Sequence, residues 1–318
     1  MSNYKLHQRK LQTKRLLYDL PELFNNDTGG ASFGNYKSLI FVLQDGKNNL
    51  FNEITEDAVA YFKENDIAWW GDNEFYPPGH ILSSQIQCLN YLFALRKDKD
   101  MVLRLAQLFN ANISDILPIN QDKDGGYIAF EFTYNNAELL NEKEANAKRG
   151  KYCTSIDAFM IGMCNDEKIL IPIEWKYTES YPNSDNKAKE PGKGQTRQER
   201  YNQLIESSKQ LKTPKQFENC LYYHEPFYEI ARQTLLAEQI VKSGMADDFL
   251  HVLIIPEANS ELLYNSHQCE NSGLEKLWNN QLLNPEKFKV VDGRDILSLI
   301  KKNPNYKNLY NYLNARYN

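Results

Sequence analysis

The spacing of apolar residues changes along the chain, and the change predicts the order of its elements. Between residues 81 and 108 apolar side chains recur three and four positions apart, which predicts two consecutive helices. From residue 127 onward the pattern becomes that of strands. The strand-like runs cover residues 127–134, 154–162 and 169–177. A helix at 226–242 and a buried strand at 249–256 follow, so the middle of the chain reads helix, three strands, helix, strand.

The flanking segments extend this α/β pattern at both ends. A helix is predicted around residues 56–62, and a strand and helix are predicted at 289–291 and 296–300. No Gly/Ser-rich or Pro-rich linker interrupts the chain, so residues 1–318 are predicted to form a single domain. Its predicted parts are a peripheral N-terminal elaboration, a core and a C-terminal extension, at residues 1–79, 80–256 and 257–318.

The strand at residues 169–177 carries the strongest chemical signal. Glu174-Trp175-Lys176 follows an apolar run, and side chains alternate along a strand, so Glu174 and Lys176 share one face. The opposite face is predicted to pack against a helix and carries Ile169, Ile171, Ile173, Trp175 and Tyr177. Pro172 lacks a backbone donor, so the strand is predicted to contain a bulge or to have a free edge at that point.

A second carboxylate lies in the preceding strand. Asp157 is the acidic residue of the apolar run at 154–162, and the polar segment 163–168 is predicted to form a hairpin loop. Folding the two strands back to back would bring Asp157 beside Glu174. Two carboxylates and a lysine at one sheet edge are the groups needed to hold Mg²⁺ or Mn²⁺ and to position a water against a phosphodiester.

Asp157 and the Glu174-Trp175-Lys176 tripeptide, in this order of elements, resemble the PD-(D/E)xK nuclease superfamily, the restriction-endonuclease-like enzymes. Other acid-x-lysine triplets occur in polar, turn-like surroundings, at residues 45–47, 166–168 and 185–187. The resemblance covers residues 80–256 and implies an αβββαβ core, in which a mixed β-sheet is flanked by helices. Ile156 stands where the superfamily pattern has proline.

The surrounding residues are similar to those of a bacterial restriction-endonuclease branch of the superfamily. In that branch a Ser-Ser-Gln helix and a strand glutamate precede the core, and an Arg-Gln helix follows it. The matching residues here are Ser83-Ser84-Gln85, Glu131 and Arg232-Gln233.

The resemblance implies a role for each site residue. Asp157 and Glu174 would ligate Mg²⁺, or Mn²⁺ in its place, and the main-chain carbonyl of Trp175 would be a further oxygen ligand. Lys176 would act on or orient the attacking water. Glu131 would be a third carboxylate of the metal site. Gln233, on the helix after the core strands, would orient a phosphate or a water.

Each of these residues also has a purely structural interpretation. Glu174 and Lys176 could form an exposed ion pair, which contributes little to stability. Glu131 could be a strand residue that faces water, and Gln233 an ordinary residue of a helix surface. Residues 84–85 are most simply interpreted as a helix cap.

The formal net charge of −5 restricts nucleic-acid binding to local patches. Basic residues cluster at 1–15 and at 185–200, and each cluster is most simply interpreted as a solvated tail or loop. Segment 178–200 contains Gly192-Lys193-Gly194 and could close over nucleic acid as a mobile loop. Trp69-Trp70 could stack on bases, although core and surface packing is the more usual role of such a pair.

Five cysteines without a Cys-x-x-Cys pair suit a reducing compartment, and no apolar stretch approaches the ~20 residues of a membrane span. A cytoplasmic protein that acts on DNA is therefore expected, and a homodimer is left open. The predicted function is Mg²⁺-dependent hydrolysis of DNA, with restriction of foreign DNA as the role that the resemblance implies. The alternatives are a repair or RNA-directed nuclease with the same site, and a nuclease-like scaffold that binds without cutting.

Overall fold

A seven-stranded mixed sheet lies at the centre of the chain in a computed structural model that describes residues 3–71, 73–144, 146–181, 193–218, 220–270 and 272–318. The strands are β1 (Ala31–Phe33), β2 (Tyr36–Leu39), β3 (Ile113–Leu117), β4 (Ala129–Phe132), β5 (Ile156–Cys164), β6 (Glu167–Trp175), β7 (Asp248–Phe249), β8 (His251–Ile254) and β9 (Phe288–Val291). β1 and β2 form a separate hairpin, and the other strands form the sheet.

Helices pack on both faces of this sheet. They are α1 (Asn3–Lys14), α2 (Thr55–Glu64), α3 (Ser84–Leu92), α4 (Lys99–Phe109), α5 (Asn136–Leu139), α6 (Lys193–Glu206), α7 (Phe227–Lys242), α8 (Ser260–Tyr264), α9 (Leu274–Asn279), α10 (Gly293–Lys301) and α11 (Lys307–Tyr317). None of the helices in the described ranges is both long and apolar enough to cross a bilayer.

The sheet has the order β3-β5-β6-β8-β9, with β4 on β5 and β7 on β6. β3, β4 and β6 run antiparallel to β5, whereas β7 and β8 run parallel to β6, and β9 runs parallel to β8. The predicted mixed sheet flanked by helices is confirmed. Its assignment to an αβββαβ core stays a prediction, since α4 and β3 intervene between α3 and β4.

The β5–β6 hairpin is tighter than the predicted loop at residues 163–168. Cys164 pairs with Glu167, so the turn consists of Asn165 and Asp166 alone. Both have positive φ, 52° and 66°, as a two-residue hairpin turn of the favoured twist requires. Asparagine and aspartate tolerate this conformation best among residues with side chains. The short turn fixes the register of the two strands that carry Asp157 and Glu174.

Pro172 occupies a central strand, so the predicted free edge is wrong. β6 is flanked by β5 on one side and by β7 and β8 on the other. The register of β6 and β8 places Pro172 opposite His251, the first residue of β8. Pro172 has no N–H to donate, so the sheet lacks one ladder hydrogen bond at this central position.

The two faces of β6 pack into different cores. The face predicted to be apolar lies with α3, α4 and α10 in the largest cluster, to which it contributes Ile169, Ile171, Ile173 and Trp175. Tyr177 departs from this expectation and joins a small cluster with Leu16 and Phe24. The opposite face of β6 contributes Leu170 to a second core, which contains the apolar side of α7. Glu174 and Lys176 therefore face α7.

The N-terminal basic segment is a helix and not a solvated tail. Arg15 follows α1, is buried, and donates to the main-chain carbonyl of Arg316 at 2.8 Å. Side chains from residues before 80 and after 256 belong to the largest core cluster. The boundaries at 80 and 256 stay predictions. Of the predicted loop at 178–200, residues 182–192 lie outside the described residues, and residues from 193 onward form α6 instead.

Candidate active site

A cleft of about 520 Å³ opens where β5 begins and β6 ends, beside α7. The residues predicted to form the site line this one cleft: Glu131, Asp157, Glu174, Trp175, Lys176 and Gln233. Further polar side chains that sequence reasoning did not place in the site also line it, among them Gln85 and Glu229. The structure thus brings together groups that are more than one hundred residues apart in the chain.

Three carboxylates lie in one row across adjacent strands. The residues on either side of Glu131 in β4 pair with those on either side of Asp157 in β5. The β5–β6 ladder ends one residue short of Asp157 and Glu174, and the same register makes them the next pair. Directly opposite residues of antiparallel strands have Cα atoms about 4.5–5.5 Å apart. The row therefore concentrates negative charge at one point of the sheet.

Asp157 is held by the backbone of the neighbouring strand. Its Oδ2 accepts a hydrogen bond from the main-chain N–H of Trp175 at 2.7 Å. The N–H and C=O of one strand residue point to the same side, so the carbonyl of Trp175 is directed toward Asp157 as well. Burial, followed by the Glu174 and Glu131 carboxylates, raises the pKa of Asp157 well above its usual value.

Glu174 and Lys176 form a buried ion pair, so the interpretation as an exposed surface pair is wrong. The two residues are 4 % and 5 % exposed, and Nζ of Lys176 lies 2.6 Å from Oε1 of Glu174. Burial raises the pKa of Glu174, although the ammonium of Lys176 acts against the shift. Burial acts to lower the pKa of Lys176, but the Glu174 and Glu229 carboxylates outweigh it and raise that pKa well above its usual value.

Glu229 on α7 is a site residue that sequence reasoning missed. Its Oε2 accepts a hydrogen bond from Nζ of Lys176 and lies 3.3 Å from the hydroxyl of Tyr181, which donates to it. Glu229 precedes Gln233 by four residues, a spacing that puts both on one helix face. With Gln233 already a candidate, this spacing was the sequence signal that could have placed Glu229 in the site. The ammonium of Lys176 is consequently shared between a sheet carboxylate and a helix carboxylate.

Gln233 is buried against the sheet, 2 % exposed, and so is not an ordinary residue of a helix surface. Its side-chain amide donates to Oε2 of Glu174 and, at 2.9 Å, to the carbonyl of Ser155. Its Oε1 lies 3.1 Å from Nε2 of His251, and Nδ1 of His251 lies 3.0 Å from the Thr234 hydroxyl.

His251 fixes which way the Gln233 amide points. Burial lowers the pKa of His251 to about 3, so the ring is neutral and carries one N–H. An Nε2–H that donates to Oε1 of Gln233 leaves Nδ1 to accept from Thr234. The NH₂ group of Gln233 is then directed at Glu174. Sequence reasoning found no role for His251, because a lone histidine in an apolar strand carries no signal of its partner.

Glu131 is buried, so the interpretation as a strand residue facing water is wrong. Its φ of +48°, within β4, is strained for a residue with a side chain. Oε1 accepts a hydrogen bond from Nε2 of Gln85 at 2.7 Å. Burial raises the pKa of Glu131 to about 7, the Gln85 amide acts against this, and Glu174 adds to it. Gln85 is thus a partner of Glu131 and not a helix cap; the cap of α3 is Ser83, whose Oγ accepts from the N–H of Ile86.

The donor set suits a hard divalent cation. Carboxylate oxygens and a main-chain carbonyl are the ligands that Mg²⁺ and Mn²⁺ prefer. The raised pKa values of Glu131 and Asp157 reflect in part the repulsion that a cation would relieve. Within the described ranges no group of three or more His, Cys, Asp and Glu side chains forms a ready-made metal site. Each carboxylate of the row instead accepts a hydrogen bond from an N–H group of the protein.

Comparison with protein families finds one match over nearly the whole chain. Residues 14–318 match the family described as Restriction Endonuclease associating with ARP. No curated protein and no solved structure matches the chain. The matched range contains every residue of the carboxylate row, together with Lys176, Glu229 and Gln233.

Proposed function

The chain belongs to the restriction endonuclease family described as associating with ARP, and from this membership and the cleft we propose that it is a metal-dependent nuclease that hydrolyses DNA phosphodiester bonds. The observation that carries the proposal is the buried row of Glu131, Asp157 and Glu174 with the Lys176 ammonium at its end. Buried charges of this kind are costly to a fold, and they concentrate at functional sites.

Asp157 and Glu174 are the residues we propose to hold Mg²⁺ or Mn²⁺, with Glu131 and the carbonyl of Trp175 as further oxygen ligands. A bound dication would neutralise charge on the phosphate and make a water more acidic. The protein contributes the orientation. The Trp175 N–H holds one oxygen of Asp157. The Gln233 amide and the Lys176 ammonium hold the two oxygens of Glu174.

Lys176 acts in the proposal as an ammonium group. Its raised pKa means that it carries its proton at neutral pH. A protonated lysine beside the phosphate can donate hydrogen bonds to the attacking water or to a non-bridging oxygen, where negative charge develops. An ammonium group in this place suits the expectation that Lys176 orients the attacking water. Glu229 and Glu174 hold the ammonium in place from two sides.

Gln233 and His251 are positioning residues in this proposal. Groups that orient a ligand residue through a hydrogen bond commonly change activity by 10–100-fold when they are lost. The chain from Thr234 through His251 and Gln233 to Glu174 consists of buried groups with partners on both sides. Such a fully paired network favours one orientation of the carboxylate.

The presence of Asp157, Glu174 and Lys176 in a single cleft favours a cutting enzyme over a scaffold that binds DNA without cleaving it. Restriction of foreign DNA is the role we propose within the family. The family description also names an association with ARP, and we extend that association to this chain as part of the proposal.

Incubation of the purified chain with plasmid DNA tests the proposal. We expect nicked or linear DNA with Mg²⁺ or Mn²⁺ and intact plasmid in EDTA. Discrete product bands would indicate site-specific cutting, and a smear would indicate nonspecific cutting. Intact plasmid under every metal condition, with DNA binding retained, would favour the scaffold.

A further inference from the structure

Three aromatic rings form one wall of the cleft beside the carboxylate row. Phe33 of the β1–β2 hairpin has its ring centroid 5.0 Å from that of Trp70 and 5.1 Å from that of His80, and Trp70 and His80 are 5.8 Å apart. All three rings line the cleft. We call this set, Phe33, Trp70 and His80, the aromatic wall.

Trp70 is exposed although its neighbour Trp69 is fully packed. Trp69 is 3 % exposed and stacks on Phe62 with ring centroids 3.8 Å apart. Trp70 is 46 % exposed. Burying a large aromatic side chain is one of the main sources of folding energy. Trp70 contributes less of this energy because it is only half-buried, and its side chain lines the cleft.

The aromatic wall is tied to the carboxylate row through one side chain. Oε1 of Gln85 accepts a hydrogen bond from the main-chain N–H of Trp70 at 2.9 Å, while Nε2 of the same amide donates to Glu131 at 2.7 Å. Gln85 therefore contacts both the aromatic wall and the carboxylate row. Gly71 leaves room for the Phe33 ring, since a Cβ at Gly71 would lie 3.1 Å from Cε2 of Phe33.

A second, smaller cavity of about 180 Å³ adjoins the wall on its far side. Phe33 and Trp70 line both cavities, and the amide side chains of Gln44 and Asn73 line the smaller one. Side-chain amides can pair with the donor and acceptor groups on the edge of a nucleobase. Lys5, which also lines the cleft, adds a positive charge that can attract a phosphate.

From these observations we propose that the aromatic wall binds one unpaired nucleobase of the nucleic acid that enters the cleft, with the base stacked on Trp70. This inference rests on the proposed function, which brings a nucleic acid to the carboxylate row. A base within a duplex has both faces covered by its neighbours and cannot reach such a ring unless it leaves the stack. Stacking on an aromatic side chain tolerates any base, because every base has a flat face.

The aromatic wall favours a nucleobase over a protein partner because it is continuous with the cleft. A partner protein seated on Trp70 would cover the opening to the carboxylate row. A single stacked base leaves its own phosphate in the cleft. The substrates that the inference favours are single-stranded, mismatched or flipped-out nucleotides.

Binding of two DNAs in EDTA tests the inference without any cleavage. One is a fully paired duplex, and the other has the same sequence with a single unpaired 2-aminopurine, whose fluorescence falls on stacking. The variants are Trp70→Ala, Trp70→Phe, which retains a ring, and Tyr18→Ala, which removes an exposed aromatic side chain that lines neither cavity.

We expect the wild type to prefer the DNA with the unpaired base and to quench its fluorescence. Trp70→Ala should lose about tenfold in affinity for that DNA, within the range found for single base stacks, with little change for the paired duplex. Trp70→Phe should lose less, and Tyr18→Ala should match the wild type.

Equal affinity of the wild type for both DNAs, or equal losses for both DNAs in Trp70→Ala, would overturn the inference. Binding to neither DNA would also overturn it and would favour a protein as the occupant of the wall. The proposed function has a separate readout. Plasmid cleavage that depends on Lys176 but is unchanged in Trp70→Ala, together with equal affinities, would leave the nuclease standing and remove the nucleobase site.

Discussion

Asp157 on β5 accepts its hydrogen bond from the main-chain N–H of Trp175, the residue between Glu174 and Lys176. The regular main-chain pairing of β5 and β6 ends at Ala158 and Ile173. Beyond this point the N–H of Trp175 bonds to the Asp157 side chain instead of to the main chain of β5. The same contact ties the first acid to the tripeptide and directs the Trp175 carbonyl toward the carboxylate row. One hydrogen bond thus sets the relative position of the groups to which we assign the metal.

Replacing Asp157 by asparagine should stabilise the metal-free protein. The side-chain oxygen of the asparagine would still accept from the Trp175 N–H. The cost of burying a carboxylate, and its repulsion with Glu174 and Glu131, together raise the pKa of Asp157 and would be gone in the variant. Each kcal/mol of relieved repulsion would raise the melting temperature in EDTA by roughly 2–4 °C. Mg²⁺ should raise the melting temperature of the wild type and not that of Asp157→Asn. Thermal unfolding with and without Mg²⁺ measures both effects.

The matched control for that measurement is Asp115→Asn. Asp115 lies on β3, is half-buried, and forms a solvent-accessible ion pair with Lys99, so its loss should change stability little. An equal Mg²⁺-dependent rise in the wild type and in Asp157→Asn would remove Asp157 from the metal site.

His251→Phe should slow cleavage without weakening DNA binding. The variant removes the hydrogen bond that orients Gln233 toward Glu174. We expect kcat to fall by about 10–100-fold at unchanged KM. His251→Gln keeps a donor near Oε1 of Gln233 and should recover part of the loss. A change in KM alone, or equal defects in both variants together with a lowered melting temperature, would indicate a packing role for His251.

Glu225, beside the helix face that carries Glu229, should make stability depend on pH. Burial, followed by Glu229, raises the pKa of Glu225 to about 7. A carboxyl group whose pKa is higher in the folded state stabilises the fold when protonated, so its contribution is full below pH ~4.5 and is lost as pH rises through ~7. The loss would amount to about 3 kcal/mol.

Urea unfolding of the wild type and of Glu225→Gln between pH 4.5 and 8 measures this contribution. The variant should have a flatter pH dependence and be the more stable of the two at pH 8. Parallel curves for the two proteins would show that Glu225 does not titrate in this range.

The groups that share one strand or one hairpin were predictable from the sequence. The alternation of side chains along a strand placed Glu174 and Lys176 on one face. The short polar loop indicated a hairpin, and a hairpin brings Asp157 beside Glu174. The contacts made by α7 were not predictable in the same way. Glu229 and His251 meet the site only because a helix packs on the sheet at one particular register, and single-sequence periodicity does not define that register.

The burial of Glu131 also escaped prediction, for a local reason. Its strand reads as apolar residues around one acid, which is equally typical of a residue facing water. Its positive φ turns the backbone at that point, and the Gln85 amide donates a hydrogen bond to the carboxylate. Neither the backbone turn nor the distant glutamine has a signature in the strand itself.

A comparison of Lys176→Ala with Lys168→Ala tests whether the cleft around Lys176 is the active site of a nuclease. Lys168 lies on the same strand, and its ammonium donates to the carbonyl of Met245 instead of lining the cleft. Both variants are first checked for folding and for DNA binding in EDTA. Cleavage of plasmid DNA in Mg²⁺ is then followed over time.

We expect wild-type cleavage in Lys168→Ala and a loss of at least about a hundredfold in Lys176→Ala, since removal of one group that stabilises developing charge costs about 10²–10³ in kcat. Binding to DNA should be retained in both. Cleavage by Lys176→Ala at the rate of the wild type would show that Lys176 takes no part in the reaction and would overturn the proposed active site.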